Sequence, residues 1–123
     1  MARFIRFAVH ERVDGRSPRV GLFTAAYHLS RDGELFRADR ARLDALLRWF
    51  ESELAVPPRG TIPSAAIFWY ADAGPFSGRM WELAHVVGEY GFTTELVTAR
   101  RVGRIVYQDR YQVAALPLRR GAR

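Results

Sequence analysis

Apolar and polar residues alternate from Phe4 to His10, with Ile5, Phe7 and Val9 set against Arg6, Ala8 and His10. A period of two is the pattern of a strand with one buried face. Asp14-Gly15 marks a polar turn. Ser17-Pro18 then reads as a helix N-cap followed by proline at the first helical position, where its missing N–H costs nothing. The helix carries Leu22, Phe23, Ala26, Tyr27 and Leu29, and Asp32-Gly33 should stop it, with glycine as the left-handed residue after the last turn.

Asp39 reads as the cap of a second helix, with Leu43, Leu46, Leu47, Phe50 and Leu54 on one face at steps of three and four. Pro57-Pro58 forbid its continuation, so residues 55–63 form a loop. Ala65 to Ala71 is apolar on both faces, as befits a central strand. A third helix is expected from Pro75 or Ser77 to Tyr90, with Met80, Leu83, Ala84 and Val87 inward and Gly91 ending it. Thr93 to Ala99 is a β-branched strand. Strand, helix and strand in succession predict a right-handed parallel crossover. Two short strands, Ile105–Tyr107 and Tyr111–Leu116, close the chain as a hairpin around Gln108-Asp109-Arg110.

The expected order is β-α-α-β-α-β-β-β: an α+β or α/β protein with a single mixed sheet and three helices packed on it. Residues 1–117 form a single domain, and 118–123 a basic tail. Ile5, Phe7, Leu46, Phe50, Ile67, Trp69, Leu83, Val87, Val97 and Val113 are the expected core.

Composition adds a chemical bias. All 19 basic side chains are arginine, the formal net charge is +6, and lysine, asparagine and cysteine are absent. Seven arginines fall between Arg100 and Arg123, against one acid, Asp109. Arginine's planar fork grips phosphate or carboxylate with two hydrogen bonds at once, so an anionic partner is expected, a nucleic acid or a nucleotide. Part of the bias fits a GC-rich genome. Without cysteine there are no disulfides or zinc–thiolate sites. No apolar run reaches the length of a membrane span and no apolar leader opens the chain, so a bacterial-type cytoplasmic protein that does not enter the membrane is expected.

Four groups of residues carry candidate chemistry. Arg100, Arg101 and Arg104 cluster around Gly103, where glycine permits close backbone approach. Ser77 and Arg79 sit at the start of the third helix, where free N–H groups attract anions; a cap at Ser77 and a solvated Arg79 are the simpler account. His10 would approach Asp72 if the first strand lay parallel beside the central one, and the pair would serve proton transfer in a small enzyme. Trp49 and Trp81 lie off the apolar stripes of their helices, which suggests a partner surface or a homodimer. No motif or spacing implies a cofactor or a metal ion.

The stretches Phe4–Glu11 and Arg101–Pro117, with Trp49-Phe50 and Val56-Pro57, resemble small uncharacterised bacterial proteins. The resemblance implies a free-standing bacterial domain and brings no activity with it. The expected role is therefore a non-enzymatic binding or regulatory domain that engages an anion through an arginine-rich edge.

Overall fold

The computed structural model describes residues 3–11, 20–72 and 74–117. The expected turn at Asp14-Gly15, the Ser17-Pro18 helix start and the basic tail at 118–123 lie outside them. Among the described residues there are six strands and three helices: β1 Phe4–Glu11, β2 Val20–Gly21, α1 Leu22–Asp32, α2 Arg37–Glu53, β3 Ile67–Ala71, α3 Gly74–Gly88, β4 Phe92–Ala99, β5 Arg104–Gln108 and β6 Gln112–Leu116. The protein is α+β, with a single sheet and three helices.

Two topological expectations are corrected. A two-residue strand, β2, precedes α1 and pairs with Ala8 and Val9. And every neighbouring pair in the sheet is antiparallel, so the sheet is not mixed. β3 and β4 do run parallel to each other, but β1 lies between them, antiparallel to both. The α3 crossover therefore skips a strand, giving a split β-α-β unit. Phe4 pairs with Ala71 on one side and Ala99 on the other, so the strand order is β4-β1-β3-β6-β5. β2 shares the β3 side of β1.

The helices cover one face. Ile5, Phe7 and Val9 of β1 pack against Leu22, Ala26 and Leu29 of α1, Leu43, Leu46 and Phe50 of α2, and Phe76, Met80, Leu83 and Val87 of α3, all buried. Of the ten expected core residues, eight are buried; Ile67 and Val97 are half-buried. α1 ends at Gly33, whose backbone is extended (φ −81°, ψ 151°) rather than left-handed. Glycine is needed there for room, because a Cβ would lie 2.5 Å from the Leu29 carbonyl oxygen. Arg40 completes the helix end by donating to the carbonyls of Ser30 (2.9 Å) and Gly33 (2.8 Å). Asp39 lies inside the first turn of α2, not at its cap, and accepts a hydrogen bond from the Tyr90 hydroxyl, tying α2 to the end of α3. Gly91 does adopt the expected left-handed conformation (φ 90°).

The second face has no helix among the described residues, yet Trp69, Val113 and Ala115 are buried there, together with Val102 from the β4–β5 connection. Chain length explains how. From Ala99 to Arg104 the backbone reaches at most about 18 Å. A flat sheet would separate these residues by four strand spacings and about five residues along the strands, roughly 25 Å in all. The sheet must therefore coil, in keeping with the inherent twist of strands. Val97 and Ala99 of β4 consequently pack on the same cluster as Val113 and Ala115 of β6. Residues 100–103 run across this concave face as a strap, with Val102 as its buried plug.

Candidate anion-binding strap

Two residues fix the strap. Val102 is only 8% exposed and sits among Trp69, Val113 and Ala115. Gly103 has φ 107°, and a Cβ on it would lie 2.0 Å from the Leu116 carbonyl oxygen on β6. Its lack of a side chain thus serves close approach to the protein's own β6, not to a ligand. Between these anchors and the end of β4, Arg100 and Arg101 project as exposed side chains, and exposed Arg104 opens β5. None of the three forms an ion pair or side-chain hydrogen bond with a described residue. Three permanent charges thus stand on a segment that the core holds from beneath.

The acid nearest Arg104 in sequence is committed elsewhere. Asp109, at the far end of β5, accepts hydrogen bonds from the Tyr107 hydroxyl (2.7 Å), the Tyr111 and Gln112 backbone N–H groups (3.0 and 3.1 Å) and the Gln112 side-chain amide (2.9 Å). Burial alone would raise its carboxyl, but these hydrogen bonds favour the charged form and the net shift is downward. Gln112 also donates to the Ala55 carbonyl (2.7 Å), so the hairpin turn is tied to the loop after α2. Arg110 stacks on Tyr111, 5.0 Å from the ring centroid, away from the Arg104 end.

The other candidates are dispersed. Ser77 lies in the first turn of α3, and its hydroxyl donates to the Gly74 carbonyl (3.2 Å). Arg79 pairs with Glu82 (3.5 Å) and lies over the Trp49 ring (5.4 Å). Neither joins the strap. The structure separates His10 from Asp72. Because β1 and β3 are antiparallel, Asp72 sits beside Arg3, which donates to it from Nε (2.8 Å), while His10 is seven residues further along the chain, about 23 Å away. The proton-transfer pair does not form. Trp49 is half-buried and packs edge-on against Phe50, whereas Trp81 is 52% exposed with its inner edge against Phe7. No three His, Asp or Glu residues among those described are placed to hold a metal ion. No helix among them is long and apolar enough to cross a membrane.

Sequence reasoning missed a pair on the concave face. Arg6 lies over the Trp69 ring, 5.0 Å from its centroid. The alternation in β1 puts Arg6 opposite the helix-facing residues, a side that reads as solvent in a sheet with only one covered face. Coiling turns that side inward.

Comparisons with protein-family models, curated proteins and solved structures find no match to this chain.

Proposed function

We propose that the protein is a binding domain that engages an anionic partner, a nucleic acid or nucleotide, through Arg100, Arg101 and Arg104. The observation behind this reading is that three exposed arginines, without acidic partners among the described residues, share one short segment anchored by Val102 and Gly103. A held segment loses little conformational freedom on binding, and guanidinium groups grip phosphate oxygens bidentately. The test is retention on heparin and on mixed-sequence nucleic acid at low salt, for the parent and for the Arg100→Ala/Arg101→Ala/Arg104→Ala protein. The parent should be retained and the variant released; equal behaviour would remove the strap from the reading.

A second reading, association of two copies, is favoured by Trp81. It is 52% exposed on α3, and Leu96, 38% exposed, lies opposite Phe7 on β4, a strand paired on one side only among the described residues. An uncovered edge strand beside exposed apolar side chains is a pairing surface. Sedimentation should show a dimer that Trp81→Glu dissociates; a parent that stays monomeric at high concentration would exclude it.

A further inference from the structure

The side of β1 that faces β3 is only partly covered. β3 pairs with Phe4 and Ile5, β2 pairs with Ala8 and Val9, and between them Arg6 and Phe7 have no strand partner on that side among the described residues. The gap opens into a cavity of about 460 Å³, within the range of small-molecule sites. Phe7, Leu22, Phe23, Ile67 and Met80 give it apolar walls, and Arg6 and Tyr70 also line it.

The polar groups here lack a particular kind of partner. Arg6 makes no hydrogen bond or ion pair with a described residue, and its Nε is buried without an acceptor. Trp69, which backs Arg6 from outside the cavity lining, also has its Nε1 buried without an acceptor. Both groups can only donate, and the guanidinium never loses its charge. What is missing is an acceptor with negative charge. The first turn of α1, Leu22 to Thr24, lines the same cavity, and no side chain caps it at Gly21, so its positive end adds to the attraction. The Tyr70 hydroxyl makes no hydrogen bond to a described residue, and burial, then the charge of Asp109, keep it protonated as one more donor.

We propose that the gap between β2 and β3 binds a small apolar acid, its carboxylate on Arg6 and its aromatic or branched body between Phe23, Ile67 and Met80. The apolar walls exclude a strongly hydrated polyanion, and Arg6, the one cation among the described residues that line the cavity, matches one carboxylate. This site is separate from the strap and does not depend on it.

The test uses phenylacetate, indole-3-acetate and octanoate as probes, with phenylacetamide as the neutral counterpart, read by thermal shift and, for the aliphatic probe, by tryptophan fluorescence. At least one acid should raise the melting temperature at millimolar concentration, and the amide should not. Arg6→Gln should weaken that binding at least about tenfold, the loss of a charge-assisted hydrogen bond. Thr24→Trp closes the mouth of the cavity from an exposed position, so it keeps the test open if Arg6→Gln does not fold; it should abolish binding. The strap triple-alanine protein should bind the acid as the parent does. No response to any of the three acids, equal binding of acid and amide, binding that survives Thr24→Trp or Arg6→Gln, or binding lost with the strap arginines would each overturn the proposal.

Discussion

Replacing Gly103 with alanine tests how firmly the strap is held. The residue has φ 107°, a conformation that costs a side chain about 1–3 kcal/mol. The new Cβ would also lie 2.0 Å from the Leu116 carbonyl oxygen, whereas carbon and oxygen normally approach to about 3.3 Å. That oxygen belongs to β6, which is paired on both sides, so the strap must yield rather than the strand. Lifting the strap withdraws Val102 from Trp69, Val113 and Ala115, which costs about 1.5–3 kcal/mol if the side chain is fully re-exposed. The sum is about 2.5–6 kcal/mol, a large share of the 5–15 kcal/mol that roughly bounds a domain's stability. Gly91→Ala is the control: its φ is also positive, at 90°, but nothing lies within 4 Å of the added Cβ. It should lose only the conformational part, about 1–3 kcal/mol. Urea denaturation of both variants, with m-values checked for constancy, gives the difference directly. Equal losses would mean that the strap is not pinned against β6.

Other expectations follow from single contacts. Leu46→Ala should cost about 2–5 kcal/mol, because the side chain is buried between α2 and its neighbours, and an unchanged urea midpoint would contradict the assigned core. Asp109 titrates below its ordinary range in the fold, so its stabilisation is present above about pH 4 and is lost as pH falls through its folded value; Asp109→Asn should therefore be less stable than the parent at neutral pH, with the gap narrowing in acid. A gap of constant size across that range would refute the role of ionised Asp109. The Tyr27 hydroxyl, pushed up to about 12 by burial and then by its hydrogen bond to Glu51, should stay protonated in a spectrophotometric titration at pH values where exposed tyrosines ionise.

Local pattern made most elements legible, and long-range pairing accounts for what it missed. The alternation in β1, the stripe in α2 and the glycine after α3 each act within a few residues, so they can be read directly from sequence. β2 is two residues long, too short to show a period. The insertion of β1 between β3 and β4 leaves no mark within the β3-α3-β4 segment, which reads like any parallel crossover. That one pairing also determines the fate of His10 and Asp72, since it sends them to opposite ends of β1. Gly33 reads as a helix stop from its place after Asp32, but it is glycine because Leu29 is close, a tertiary fact. The arginine cluster was visible from charge alone. Its support by Val102 was not, because a single valine between arginines and glycine reads as loop until the coiled sheet brings Trp69 beneath it.

The salt dependence of nucleic-acid binding tests most directly the proposal that the strap arginines contact phosphates. Affinity for a mixed-sequence oligonucleotide should fall linearly with log salt. Arg101→Ala/Arg104→Ala should flatten that slope by about 0.7–0.9 per lost phosphate contact. The melting temperature should hardly move, since exposed charges contribute little to stability. A parent that shows no binding at low salt, or a double variant with the parent's slope, would contradict the account.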